Sequence, residues 1–190
     1  MESSIPFIWG TSLEEQKMTF PGDKYVSSYD HTLFRGVDVD SPASIMFRWL
    51  CQLKAASYSY DWIENFEGVF FEREFSFRSS PQELIPGIDK LSIGQIVMNI
   101  FRILEFEVNR SLTLEIQLQS AISFLGKIIV SYVILPTAAL KCRLIAKICI
   151  TYPRQIILYW MRWFLPWADL IMCRKQFLTL KQLAESALAK

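Results

Sequence analysis

The amino-acid sequence predicts an α+β domain in which a long carboxy-terminal helix covers one curved antiparallel β-sheet. Two observations support this class. Between residues 96 and 150 apolar side chains recur at every second position through four successive segments, which is the period of half-buried strands. From residue 154 onward they recur at helical spacing instead. The sheet has one apolar face to bury, and the terminal helix is the only predicted element large enough to cover it.

Bulk composition restricts the function. The 190 residues suit a single domain over residues 1–190, and 52% of them are hydrophobic, an unusually high share for a protein in water. A formal net charge of +1 offers no basic surface for a polyanion, so nucleic acid is not predicted as a partner.

The amino terminus and the cysteines both indicate a reducing, cytoplasmic setting. The opening "MESSIPFIWG" lacks the basic start of a secretory signal and is interpreted as mature sequence. The four cysteines show no CxxC spacing, so free buried thiols are expected. His31 is the only histidine, and no spaced carboxylate cluster accompanies it; the sequence therefore predicts neither a metal site nor a cofactor.

One apolar run, residues 155–172, has the length of a membrane span. Arg162 and Asp169 interrupt it, and charges in the middle of a bilayer helix are costly, so no integral span is predicted. Its three tryptophans leave peripheral membrane contact open as an alternative.

The first half of the chain predicts a strand followed by two short helices. In residues 32–39 the odd positions are apolar except Arg35, which indicates a half-buried strand. Ser41 is a candidate helix cap, with Pro42 in the first helical position before "ASIMFRWLCQL". "YSYDWIENF" is interpreted as the second short helix, residues 1–31 as an amino-terminal extension, and residues 67–77 are left without an assignment.

The second half predicts a meander and the terminal helix. The alternating segments are residues 96–108, 112–118, 122–134 and 142–150. The helix spans residues 154–188, and Pro166 predicts a kink or break within it. Its predicted buried positions are Trp160, Phe164, Trp167, Ile171, Phe177, Leu180 and Ala184.

Four stretches resemble the SRPBCC superfamily of START-like and polyketide cyclase-like proteins. They are "FRGVDVDSP" leading into "RWLCQL", then "YSYDW", then "SPQELIPG", and finally "LPWADLIMCRKQFLTLKQLAE", and the resemblance covers residues 32–187. It is nearest to an uncharacterised bacterial branch. The resemblance implies a helix-grip fold, with a curved antiparallel sheet wrapped around the carboxy-terminal helix and two short helices after the first strand. It also implies a deep hydrophobic cavity between sheet and helix. Members bind lipids, sterols, hormones, quinones or polyketides, and only some are enzymes.

Candidate ligand-binding residues fall into three groups. Tyr58, Tyr60, Asp61 and Trp62 are predicted either to rim a pocket or to lock the two short helices together, with acid–base chemistry as a further alternative. Arg102 stands on an otherwise apolar strand face, so it either meets a buried carboxylate or is turned outward by a bulge. Trp160, Phe164 and Trp167 are predicted to form core and one cavity wall together.

The leading functional hypothesis is binding or transport of a small hydrophobic ligand such as a lipid, polyketide or quinone-like molecule. The alternative is a metal-independent cyclase or dehydratase-like enzyme that uses acidic or tyrosine side chains at the pocket. A third hypothesis is an interaction module that forms a homodimer or contacts another protein or a membrane surface.

Overall fold

The computed structural model describes residues 5–59, 80–154 and 159–187. Within these ranges seven strands form one open sheet, in the order β1-β2-β7-β6-β5-β4-β3. Their bounds are Ile8–Trp9 (β1), His31–Val39 (β2), Ile96–Val97 (β3), Phe101–Glu107 (β4), Ser111–Ile116 (β5), Lys127–Ala138 (β6) and Lys141–Thr151 (β7). The short β1 pairs parallel to β2, and every other pair is antiparallel.

Four α-helices accompany the sheet in the described ranges, at Leu13–Gln16 (α1), Ala43–Cys51 (α2), Gln119–Leu125 (α3) and Met161–Ser186 (α4). Two 3₁₀ turns lie at Pro21–Tyr25 and Gln52–Lys54. The predicted α+β class and long terminal helix are confirmed. The chain remains helical through Pro166, so no break occurs there.

The inward row of β2 follows the predicted alternation. Leu33, Arg35 and Val39 are buried, with the charged side chain among the apolar ones. Helix α2 follows and buries Met46 and Leu50. The predicted Ser41 cap is wrong by one residue, because Pro42 occupies the cap position and no side chain caps α2.

Two parts of the predicted meander are wrong. Residues 119–125, which include the start of the predicted third segment, form helix α3 and not a strand. The predicted inward face of residues 96–108 is only partly correct: Ile100 is buried and Phe106 packs against the core, but Ile96 and Val108 are exposed, and Ile103 of the opposite row is buried. A register shift between Ile103 and Glu105 also changes which side chains face the core along this strand.

Helix α4 lies across the inner face of the sheet and also packs on α2. Its second half buries Phe177, Leu180 and Ala184, as the sequence predicts. The Phe177 ring centroid lies 6.4 Å from that of Trp9 and 6.2 Å from that of Tyr132, so one helix residue contacts side chains from the edge and from the centre of the sheet.

The predicted amino-terminal extension is part of this packing. Strand β1 adds to the sheet edge beside β2. Further along, the Gly22 N–H donates to Ser131 Oγ at 2.9 Å, and Asp23 pairs with Lys147 at 2.6 Å. These contacts hold the first 3₁₀ turn on the face of the sheet opposite to α4.

Candidate functional site

The candidate site begins with Arg35 on β2. Its side chain is 0% exposed and lies in the inward row of the strand, beneath α4. A guanidinium carries five N–H donors, and a buried one is costly unless they are bonded. The Arg35 guanidinium makes four hydrogen bonds: two go to Asp169, one to the Phe7 carbonyl and one to the Phe34 carbonyl.

Asp169 supplies the opposite charge from α4. Both Arg35 Nε and Arg35 Nη2 donate to the same oxygen, Oδ2, at 3.0 and 2.7 Å. Among the described residues, the second oxygen, Oδ1, accepts a hydrogen bond from the Cys173 thiol alone, at 3.4 Å. A thiol is a weak donor, so Oδ1 retains most of its capacity to accept a hydrogen bond.

The Asp169 carboxyl is deep in the protein and yet partly accessible. Burial raises its pKa, and the opposing attraction of the Arg35 guanidinium does not cancel that rise. The side chain nevertheless keeps 19% of its accessible surface, whereas Arg35 keeps none. The solvent-accessible part of the ion pair is therefore the Asp169 carboxylate.

Three polar side chains of α4 share one face. Asp169, Cys173 and Gln176 follow one another at spacings of four and three residues, which places them on the same side of a helix. Burial, followed by the nearby Asp169 charge, raises the pKa of the Cys173 thiol well above its ordinary value. This thiol is thus a protonated packing group and not a nucleophile.

Gln176 continues the polar line towards β6. The buried Tyr132 hydroxyl donates to Gln176 Oε1 at 3.0 Å, and Gln176 Nε2 donates to the Ser57 carbonyl at 2.7 Å. Burial raises the pKa of the Tyr132 phenol well above its usual value, so it stays protonated at any physiological pH.

A second polar group lies at the start of β2. His31 Nδ1 is 3.0 Å from the Tyr152 hydroxyl, and Asp30 accepts from both the Tyr152 N–H and Arg162 of α4. Burial lowers the pKa of His31, and the Arg162 charge lowers it further. The imidazole is therefore neutral near pH 7.

Tyr58 is buried and packs as part of the hydrophobic core. It is 1% exposed, its hydroxyl donates to the Pro81 carbonyl and accepts from Gln52, and its ring stands edge-on to Trp49. Its φ of 56° places it in the left-handed region. These contacts match the alternative in which this stretch locks neighbouring segments together. Tyr60, Asp61 and Trp62 lie outside the described residues.

Arg102 does not point into the apolar side of the sheet. Its guanidinium is half exposed and forms an ion pair with Glu115 of β5 at 2.7 Å. Of the two alternatives for Arg102, the structure therefore has the outward one.

The aromatic stripe at the start of α4 also has the opposite orientation to the predicted one. Trp160, Phe164 and Trp167 are each about half exposed, whereas Met161 and Leu170 are buried. The physical reason is the polar line on the other side of the helix: Asp169 bonds to Arg35, and that pairing fixes which face of α4 meets the sheet.

The sequence contained signals for the residues that the prediction missed. Arg35 was the one charge in an apolar strand row, and Asp169 was one of the charges that interrupt an apolar helical run. Each is unusual alone, but they are 134 positions apart, and only the folded chain shows that they meet. Tyr132 and Gln176 carried no distinguishing pattern.

The described part of the chain contains neither a metal-site cluster nor a helix fit to cross a membrane. No group of three or more histidine, cysteine, aspartate or glutamate side chains there has the arrangement of a metal site. None of the described helices combines the length and apolarity that a membrane span requires.

Comparison with known proteins gives a match by structure and none by sequence. No family model and no curated protein matches the chain. The Zhui aromatase/cyclase from a Streptomyces species superposes with a TM-score of 0.52 at 10% identity, over 83% of this chain and 95% of that one. The di-domain ARO/CYC BexL gives 0.50 at 12% identity, over 84% of this chain and 48% of that one. The chain has the helix-grip fold of these aromatase/cyclases, which confirms the predicted SRPBCC resemblance at the level of fold.

Proposed function

We propose that this protein binds a small hydrophobic molecule between the sheet and α4, with a polar end of the molecule at Asp169. One observation carries the proposal: the carboxylate of a deeply placed ion pair keeps accessible surface while its guanidinium partner keeps none. The described residues around this pair are largely apolar.

Depth and accessibility together indicate an enclosed space. A carboxylate at the outer surface would be solvated, and its pKa would not rise through burial. Burial does raise the pKa of Asp169, yet 19% of its side chain remains accessible. We infer that the accessible part faces an internal space of the kind that small-molecule sites use.

The pair also suggests the chemistry of the ligand. Arg35 and Asp169 neutralise each other, so the pair attracts no net charge. Asp169 Oδ1 still accepts hydrogen bonds, which favours a neutral ligand with a hydroxyl or phenol group. Burial of about 300 Å² of apolar ligand surface at about 25 cal/mol/Å² contributes several kcal/mol before association costs.

Native mass spectrometry of freshly purified protein tests this proposal. The wild-type chain is expected to carry an apolar compound or to take up a neutral naphthalene-type probe at one saturable site. Cys173→Phe places a ring beside Asp169 Oδ1 and is expected to abolish that binding, because the ring occupies the space next to the carboxylate.

Gln182→Phe is the matched control, since it adds the same ring at an exposed position of the same helix. It is expected to bind as the wild type does. A wild-type chain that neither retains a compound nor binds the probe contradicts the proposal, and so does equal binding by the Cys173→Phe variant.

A second candidate function is a cyclase-like enzyme. Two observations favour it: the fold is shared with aromatase/cyclases, and Asp169 is a carboxylate whose pKa burial raises towards the range useful for a base. In this role Asp169 Oδ1 would remove a proton alpha to a ketone, and the new carbanion would attack a second carbonyl of the same substrate.

Conversion of a poly-β-ketone analogue, followed by the ultraviolet absorbance of the cyclised product, tests the enzyme candidate. Asp169→Asn is expected to lower turnover by at least about a hundredfold, the usual contribution of a positioned base. Asp38→Asn, at an exposed carboxylate on β2, is the control and should retain full turnover. Ligand binding without any conversion by the wild type would leave binding as the function and refute the enzyme.

A further inference from the structure

The outward side of α4 carries large apolar residues that are exposed and are not packed in the core. Trp160, Trp163, Phe164, Trp167 and Ile171 are each between 49% and 76% exposed. Phe124 of α3 extends the group, since its ring lies 6.5 Å from Trp160. These six residues are called the aromatic face below. Most surface apolar residues occur singly, and a contiguous group of this kind marks a binding surface.

Helical spacing makes the aromatic face continuous. Trp160, Trp167 and Ile171 are seven and four residues apart, which returns each to the same side of the helix. Leu178 lies about two turns beyond Ile171 on the same line and is also exposed. The line from Trp160 to Leu178 is about 27 Å long at the rise of an α-helix.

Within the described part of α4, the exposed charges beside the aromatic face are all positive. Arg174 and Lys175 are exposed on this side of α4, and no ion pair within the described residues involves either of them. The only acidic side chain between Trp160 and Leu178 is Asp169, which lies on the opposite side of the helix and bonds to Arg35. An approaching surface therefore meets indole rings and uncompensated positive charge.

Exposed tryptophan rings and neighbouring basic side chains together indicate the class of partner that this face binds. Tryptophan favours the boundary between lipid and water, and basic residues beside an apolar helix face favour anionic lipid headgroups. A second copy of this chain docked through the same stretch of α4 would bring Arg174 and Lys175 of its own and no outward acidic side chain from that stretch. We propose that the aromatic face docks the protein onto a phospholipid membrane that contains anionic lipids.

The proposal does not rest on the proposed ligand. It uses the outward side of α4, whereas Asp169, Cys173 and Gln176 occupy the inward side. Loss of membrane binding and loss of ligand binding are therefore separate results, and neither follows from the other.

Co-sedimentation of the full chain with vesicles tests the docking. Vesicles of phosphatidylcholine alone are compared with vesicles that also contain phosphatidylglycerol, at low and high salt. The wild type is expected to sediment with the anionic vesicles, less so at high salt, and its tryptophan emission should shift to the blue on binding.

Two double variants separate the apolar and the charged contributions. Trp163→Ser with Trp167→Ser is expected to weaken binding to both kinds of vesicle, because it removes the inserting rings. Arg174→Glu with Lys175→Glu should weaken binding to the anionic vesicles alone, by roughly tenfold or more. All four side chains are exposed, and the unfolding midpoint of each variant should therefore stay close to that of the wild type.

The control removes exposed apolar residues elsewhere. Ile93→Ser with Leu140→Ser changes two side chains that are well exposed in turns away from α4, and vesicle binding should be unchanged. A wild type that stays in the supernatant with both vesicle types overturns the proposal. So does a wild-type dimer that Trp163→Ser with Trp167→Ser converts to a monomer without changing vesicle binding, since a second copy would then be the partner.

Discussion

The Arg35–Asp169 ion pair places two charges where most neighbours are apolar. A buried pair gains little over well-packed apolar residues, because desolvation offsets the attraction, but removal of one partner leaves the other charge uncompensated. Four hydrogen bonds from the guanidinium reduce that desolvation cost here. The pair thus fixes the rotation of α4 more than it adds to stability.

Single removal of either partner should therefore be costly. Asp169→Asn is expected to lower the free energy of unfolding by about 3 kcal/mol, because it leaves the fully buried guanidinium without a counter-charge. The double change Arg35→Met with Asp169→Leu should cost less than the single one. Urea denaturation followed by circular dichroism measures both.

An exposed ion pair provides the comparison. Lys141 and Asp40 are 2.9 Å apart with both side chains more than half exposed. Replacement of Asp40 by Asn is expected to lower the free energy of unfolding far less than replacement of Asp169 does, because solvent screens the exposed pair. If Asp169→Asn costs no more than this, the buried pair does not have the importance assigned to it.

Alternation along β2 put Arg35 in the same row as the apolar residues of the strand, and the structure shows that this row faces inward. For Arg102 the same pattern left an inward and an outward position open, and the outward one is observed. The β4 strand carries a register shift and has apolar residues on both faces, so its alternation does not say which face is buried. Alternation locates a side chain only where strand geometry is regular.

The turn from α3 to β6 depends on Gly126. Its N–H donates to the Ile122 carbonyl and ends the helix, with φ at +91°. A Cβ on this residue would lie 2.2 Å from the Thr151 carbonyl oxygen, which is backbone and cannot rotate away. Both the conformation and the contact with β7 therefore require glycine.

Gly126→Ala is expected to destabilise the protein by roughly 3 kcal/mol, because it adds a clash with backbone to a left-handed conformation. Gly87→Ala is the matched control, with φ at +75° and nothing within 4 Å of the added Cβ. It should cost only about 1 kcal/mol. Equal unfolding midpoints for the two variants would contradict the steric part of this account.

Helix α4 shows the limit of reading amphipathicity from sequence. Its second half was predicted correctly, since Phe177, Leu180 and Ala184 are apolar and buried. In its first half the aromatic residues formed the stronger apolar stripe, yet the face with Asp169 is the inner one. Burial of that face depends on Arg35 in another element, which helical periodicity alone cannot include.

The pH dependence of the free energy of unfolding is the sum of contributions from ionisable groups throughout the chain. The histidine contribution is simple to measure, because His31 is the only histidine. Burial and the Arg162 charge lower its pKa in the folded state, and Asp30 opposes them. The unfolded chain therefore binds the proton first, so the folded state loses stability as pH falls below about 6.5, the ordinary histidine value.

Wild-type protein should accordingly have a lower free energy of unfolding at pH 5.5 than at pH 7. His31→Gln removes the titrating group and should flatten this slope. Chemical denaturation at a series of pH values measures the effect. Equal slopes for the two proteins would show that His31 does not titrate differently in the folded and unfolded states.

Carboxyl groups contribute at lower pH. Burial of Asp30 acts to raise its pKa, but hydrogen bonds from the Tyr152 N–H and Arg162 outweigh it and lower the pKa. The stability that this lowered pKa contributes is present above the pKa of the unfolded state, about 4. It is lost as pH falls through the pKa of the folded state. Asp169 acts in the opposite direction, since its pKa is raised and its protonation favours the folded state.

The whole architecture was more predictable than the site. Alternating strands and one long helix sufficed for the α+β class, and the quoted sequence motifs pointed to the helix-grip fold that the structure has. The site needed contacts between β2, β6 and α4, which are far apart in the chain. Long-range pairings of single polar residues leave no local pattern, and this is why Arg35, Asp169 and Tyr132 were not among the predicted site residues.

The hydrogen bond from Arg35 to the Phe7 carbonyl ties the amino terminus to the interior. Strand β1 has only two residues and sits at the sheet margin, so it is held by few backbone bonds. A deletion that reached Phe7 would take an acceptor from a charge at the centre of the protein. Removal of these amino-terminal residues would therefore weaken the ion pair between Arg35 and Asp169, and with it the attachment of α4 to the sheet.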